Sequence, residues 1–300
     1  MSAPVVHMRA GLRAAGYGDD EVRALLRRGE LATVRRGAYV SGPRSGDATL
    51  RHLAQIRAAS EQLDPGAVVS HLSGAVLLGW DVWGLPLTRV QVTRHRRTGG
   101  RRDPSVHVRA APLRDDEIQF VDGVAVTCAA RVVTDIARTV PFEQAVVVAD
   151  CALARGDVTP EALAEAIARQ KGWPGAPNAR RALGFADGRS GSVGESRSRV
   201  AIMRAGLPPP QLQREFRDDR GGHLGTVDFW WERQRLIGEF DGLAKYGRLL
   251  KPGQSVADVV VAEKIREDAL RDQDTRMLRW LWVDLHPFTA TAARLRARLG

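Results

Sequence analysis

The chain has 300 residues, 44% of them hydrophobic, and its 45 Lys and Arg outnumber 35 Asp and Glu for a net charge of +10. That length accommodates two or three domains with sizeable cores, and no window approaches the roughly 18 uncharged apolar residues of a membrane span. Cys128 and Cys151 stand far apart without metal spacing, which excludes a disulfide framework and a zinc cluster.

The opening MSAPVVHMRAG has no charged stretch followed by an apolar run, so the expectation is a cytoplasmic protein with reduced cysteines. Nearly all the positive charge is Arg; the lysines are Lys171, Lys245, Lys251 and Lys264. A basic balance fits a nucleic-acid partner. A GC-rich genome would enrich Arg, Ala, Gly and Val with no functional demand, and composition does not separate the two.

Residues 5–15 and 19–28 read as two short helices split by Gly16-Tyr17-Gly18, with Asp19 or Asp20 as N-cap and Gly29 as a stop. LATVRRGAYV, residues 31–40, follows as strand, turn and strand. Helix, helix and basic hairpin form the skeleton of a winged helix, in which the second helix enters the major groove and the wing meets the backbone. Arg23, Arg27, Arg28, Arg35 and Arg36 would then be DNA contacts; the alternative is a small structural unit with solvated arginines.

Residues 47–63 read as an amphipathic helix leading out of that unit, and residues 68–84 as a helix with Leu72, Val76, Leu77 and Trp80 on its apolar side. His71 and Ser73 near its start lack an acid partner in sequence, so they read as capping or core groups. Residues 89–93 and 106–109 look like strands, and RHRRTGGRRDP between them holds Arg94, Arg96, Arg97, Arg101 and Arg102 against one acid. Such a run suits phosphate contacts through counterion release, and a solvated flexible loop is the competing reading. A hairpin turning at Asp122-Gly123, a helix from about residue 127, and helices over 142–155 and 160–170 follow. GWPGAPN, residues 172–178, breaks the chain, and a boundary near Arg189 completes three expected domains: 1–46, 47–189 and 190–300.

The last third reads α-β-β-β-α-β: a helix over 195–205, strands over 211–217, 226–231 and 236–240, a helix over 257–275 and a strand over 277–285. Asp228 and Glu239 sit inside apolar strands, and Asp241-Gly242 follows the second of them. An ionised carboxylate in a strand built for burial costs stability unless it is paired or binds a metal. The acids therefore suggest a divalent-cation site, or else ion pairs with Arg235, Arg248 or Arg266.

The motifs GESRSR, TVDFWW, GEFDG and EKIREDALRD, spread over about residues 192–287, resemble the PD-(D/E)XK nuclease superfamily, most closely its Vsr-like branch with DUF559-type domains. The resemblance implies a metal-dependent endonuclease holding Mg²⁺ or Mn²⁺ on Asp228, Glu239 and Asp241, with Glu195 reaching in from the first helix. Where that superfamily has a Lys two residues after the Glu, this chain has Asp241. Lys245 or Lys264 would fill the gap, or Asp241 is a further ligand and neither Lys is catalytic. The stretches ALLRRGELATVRRGAYV, SHLSGAVLLGW and DGVAVTCAARVVTDIAR resemble AbiEi-type antitoxins, which have a winged helix followed by an α/β domain. That resemblance implies DNA binding and autorepression. The overall expectation is an α/β multidomain protein with a winged-helix-like unit, a small α/β middle domain and a restriction-endonuclease-like domain. Its partner is DNA, with no membrane; a homodimer, a toxin partner and an RNA substrate are left open. The alternative is a non-catalytic antitoxin-type transcriptional regulator with a degenerate nuclease fold.

Overall fold

Turn chemistry and alternation set the strands of the first half, and helices cover them. The computed structural model describes residues 4–63, 66–242 and 256–300. They fall into two compact units, Met1–Ala186 and Asp187–Gly300. Both mix helices with sheet, so the chain is an α/β multidomain protein. Among the described residues no helix is long and apolar enough to cross a membrane.

The first unit begins with β1 (Val6–Met8), α1 (Arg9–Ala14), α2 (Asp19–Arg27), β2 (Leu31–Arg35) and β3 (Ala38–Ser41). The expected helix over 5–15 is thus a strand before it is a helix. Val6, His7 and Met8 pair antiparallel with Val40, Tyr39 and Ala38, giving a sheet ordered β1-β3-β2. Next comes α3 (Ala48–Ser60), whose N-cap Asp47 accepts from the amides of Thr49 at 2.7 Å and Leu50 at 3.2 Å. α3 packs on β1 and β2 and also on the elements that follow it.

Those elements are β4 (Ala67–Val69), α4 (His71–Leu77), β5 (Val90–His95), β6 (Arg101–Arg102), β7 (Val106–Ala111), β8 (Ile118–Val121) and β9 (Val124–Thr127). After them come α5 (Ala129–Ala137), α6 (Phe142–Ala154), α7 (Pro160–Arg169) and α8 (Ala176–Phe185). Residues 68 and 69, expected to open a helix, instead belong to β4, a strand inside a mixed sheet ordered β6-β7-β5-β4-β9-β8. Asp122 (φ 48°) and Gly123 (φ 78°) make the two-residue turn between β8 and β9, where both positions need the left-handed region. The sheet's valines (Val69, Val90, Val92, Val106, Val126) bury against Val76, Val132 and Ile136 of α4 and α5. Each such side chain contributes about 1.5–3 kcal/mol.

The second unit runs α9 (Val193–Arg204), β10 (Gln211–Arg217), β11 (His223–Trp231), β12 (Leu236–Phe240), α10 (Val256–Arg271), β13 (Arg276–Trp280) and α11 (Thr289–Leu299). Its sheet is ordered β10-β11-β12-β13, antiparallel except for the last, parallel pair. One face buries Phe229, Trp231, Leu236, Phe240 and Trp280 with Ile202 of α9 and Leu295 of α11. The other gathers Val227, Trp230 and Ile237 under Leu270 of α10. Cover on both faces explains why all five residues of β12 are buried. The last strand stops at Trp280, short of the expected residue 285. Residues Trp282–Leu285 form a 3₁₀ turn in which Asp284 accepts from the Leu281 amide at 2.8 Å.

Candidate functional site

The expected acids converge on one end of the second sheet, but not around a single point. Glu195 is the third residue of α9, whose N-cap Ser192 accepts from the Glu195 amide at 3.2 Å. The carboxylate folds back on that cap. Its Oε1 accepts from Ser192 Oγ at 2.8 Å, and its Oε2 from the Gly191 amide at 2.8 Å. Glu195 thus serves the helix start as a capping box does. Its Oε2 also accepts from Gln213 Nε2 of β10 at 2.8 Å, and the same amide nitrogen lies 3.4 Å from Asp228 Oδ1. One side-chain amide therefore bridges the two carboxylates. Gln213 holds φ at 51°, a left-handed value inside a strand.

Asp228 marks the place where β11 and β12 part. The ladder pairs Phe229, Trp230 and Trp231 with Gly238, Ile237 and Leu236 and goes no further toward Asp228. There the Phe240 amide donates to Asp228 Oδ2 at 2.9 Å, taking a side-chain acceptor where a strand would offer a carbonyl. α9 can come this close because Gly194 has no side chain: a Cβ there would lie 1.9 Å from the Phe240 ring. Gly194→Ala is expected to cost about 2–3 kcal/mol through overpacking. Urea unfolding would show this as a lower midpoint at unchanged slope, whereas an unchanged midpoint would mean that the Phe240 ring swings aside at no cost.

Glu239 points to the α10 side and is 8% exposed. Its two oxygens are held by Arg266 Nη2 at 2.7 Å and Arg279 Nε at 2.8 Å, and Arg279 also reaches Glu267 at 2.9 Å. Of the expected ion-pair partners, Arg266 is thus present. Arg235 instead donates to the backbone carbonyls of Asp274 and Gln273, and Arg248 lies outside the described residues. Asp241 is half-buried, and its amide donates to the Trp280 carbonyl at 2.9 Å. Lys264 is exposed on α10, and Lys245 lies outside the described residues. Among the described residues no three His, Cys, Asp or Glu side chains gather around one ion-sized point.

The arginines expected to meet DNA sit in two places. Arg23, Arg27 and Arg28 lie exposed on and just after α2; Arg35 is half-buried at the end of β2, and Arg36 stands exposed in the turn to β3. Several residues around that segment already pair with acids: Arg23 with Asp20 at 3.2 Å, Arg28 with Glu30, and Arg9 and Arg13 with Asp19. Those two guanidiniums, first Arg9 and then Arg13, hold the Asp19 carboxyl down at about 2. Arg94 lies on β5, Arg96 and Arg97 are exposed beyond it, and Arg101 and Arg102 form β6, an edge strand. The ends of the expected hairpin or loop thus lie in the sheet, and residues 96–100 connect β5 to β6 outside any strand.

Fold and side chains together define a two-unit α/β protein with an acid–guanidinium cluster at one end of a four-stranded sheet. No family model matches the chain. It is 29% identical over 182 residues to a protein of Mycobacterium tuberculosis strain CDC 1551 / Oshkosh named uncharacterized protein MT2308, across 56% of this chain and 67% of that one. The same figures hold for uncharacterized protein Rv2248 of strain H37Rv. Among solved structures, the RV2827C protein from Mycobacterium tuberculosis overlaps 72% of this chain and 84% of its own, with a TM-score of 0.40 and 18% identity.

Proposed function

We propose that the chain is a DNA-binding protein whose second unit is an endonuclease-like domain hydrolysing phosphodiester bonds with Mg²⁺ or Mn²⁺. The observation that carries this reading is Asp228 at the parting of β11 and β12, with Glu195 brought beside it through Gln213. Its setting in an α-β-β-β-α-β order with a parallel last strand supports the resemblance to PD-(D/E)XK nucleases. Mg²⁺ is commonly held by one or two carboxylates together with substrate phosphate and water. Asp228, with Asp241 one residue beyond Phe240, fits that demand, and Glu195 lies within reach. Glu239 would join only by releasing a guanidinium. A cation bound there would neutralise phosphoryl oxygens and make water a stronger nucleophile. The chain's own contribution is to hold the acids and to keep Arg266 and Arg279 beside them.

The double ion pair of Glu239 favours a second reading, a non-catalytic antitoxin-type regulator in which this cluster is structural. Plasmid nicking with Mn²⁺ or Mg²⁺ separates the two. The nuclease reading expects metal-dependent nicking that falls by about 100-fold or more in Asp228→Asn, as when one preorganised electrostatic group is removed. Asn at that position keeps an acceptor for the Phe240 amide, so the fold survives. Equal nicking by both proteins, or none by either alongside DNA retention that persists in EDTA, sinks the enzyme reading.

A further inference from the structure

The first unit carries a second concave site that the endonuclease-like reading leaves unused. A cavity of about 870 Å³ opens between β7, the 97–102 stretch, α5 and the 172–175 turn. Its walls bring Arg97, Arg101, Arg102, Arg109, Arg131 and Arg138 against a single carboxylate, Asp135.

Two features distinguish it from an arginine-rich surface. The first is depth. Arg131, Asp135 and His71 are 2%, 0% and 3% exposed, while Arg101 and Arg102 stand exposed at the rim. The second is unsatisfied hydrogen bonding. Arg131 Nη2, Arg109 Nε and His71 Nε2 are shut from solvent with no hydrogen-bond partner. Asp135 does not serve them: its oxygens hold Arg131 Nε at 2.8 Å and Arg138 Nη2 at 2.6 Å instead. Buried donors and guanidinium charge beyond what the acids offset are costly unless something anionic meets them.

The donors are also fixed in place. Arg131 and Arg138 lie 5.0 and 4.9 Å from the centre of the Trp173 ring, which orients both guanidinium planes. Thr93 Oγ1 donates to Ser70 Oγ at 2.8 Å, leaving the Ser70 hydrogen for His71 Nδ1 at 3.0 Å. The imidazole proton then belongs on Nε2, as a neutral donor. His71 holds φ at 52° to occupy this position, a backbone cost that needs a compensating role.

We propose that this cavity binds a small phosphate-bearing ligand of nucleotide size. Its volume lies in the range of small-molecule sites, and arginine forks match phosphate oxygens in pairs. Arg131 and His71 are buried while Arg101 and Arg102 stand exposed, which suits a small anion better than a duplex backbone. The same chemistry comes from a free nucleotide or from the terminal phosphate of a strand. Calorimetric titration of the full chain with pyrophosphate, ATP, GTP, and a 5′-phosphorylated or 5′-hydroxyl single-stranded oligonucleotide distinguishes these sources. The expected result is 1:1 saturable binding of at least one phosphorylated probe. It weakens about tenfold or more in Arg109→Gln and His71→Asn, both with unchanged circular dichroism, and is unaltered in Asp228→Asn. Three outcomes overturn the proposal: no saturable binding of any phosphorylated probe at millimolar concentration; equal affinity in wild type and both variants; or equal binding of the two oligonucleotides without competition by pyrophosphate. The last would make these arginines part of a nucleic-acid surface.

Discussion

Replacing Asp135 with Ala is expected to unfold or nearly unfold the first unit, at a cost of about 3–5 kcal/mol. Asp135 is fully buried and answers Arg131 and Arg138 through separate oxygens, while Gln170 Nε2 adds a contact at 3.3 Å. Burial alone would raise its pKa, but His71 and the guanidiniums of Arg131 and Arg138 outweigh burial and hold it below the usual carboxylate range. Removing the carboxylate leaves Arg131 with Glu117 at 3.0 Å and Arg138 with no acid in that cluster. Asp135→Asn restores the shape but not the charge and should recover only part of the loss. Thermal melts of the three proteins would check this. A melting temperature for Asp135→Ala within a few degrees of wild type would mean that the arginines relax to solvent, which their burial argues against.

Acid should destabilise the protein well before its carboxylates titrate. Burial pushes the His52 imidazole down to about 4 and that of His71 down to about 3. In the unfolded chain both would bind a proton as pH falls through about 6.5. Between that pH and about 4 the unfolded state therefore holds more protons, and stability drops as pH drops. Each histidine should contribute a loss on the order of 2–3 kcal/mol by pH 4.5. His71→Asn, suited to the left-handed backbone there, should flatten the slope of unfolding free energy between pH 6.5 and 4.5. A profile that stays level down to pH 5 in the wild type would show that the imidazoles reach water in the folded state.

Much of the second unit was legible in its residues, because apolar strands interrupted by turns leave few alternatives. QLQREFR matches β10 at both ends, and LIGEF matches β12. The elements missed were those with weak signals. β1 is three residues that continue the pattern of the helix after it, and α8 begins inside a Gly- and Pro-rich stretch that argues for a loop. α11 buries only Thr291, Ala292, Leu295 and Leu299 in a run of small and charged residues. At the site, the acids could be found by their position in apolar strands, but their partners could not. Arg279 meets Glu239 because the parallel register sets the two opposite each other, and register is a long-range outcome. Gln213 carries no charge to draw notice, and its left-handed backbone has no signature in a Gln.

The parallel pairing of β12 with β13 also has a consequence for the order in which the chain can settle as it is made. β10, β11 and β12 are contiguous hairpin partners, whereas the strand covering the far edge of β12 follows the whole of α10. Until Arg276–Trp280 leaves the ribosome, LIGEF presents an apolar edge with open backbone groups. Such an edge invites pairing with any other strand. A chain released before residue 276 would keep the hairpins and all the expected acids, yet carry the makings of an aggregate.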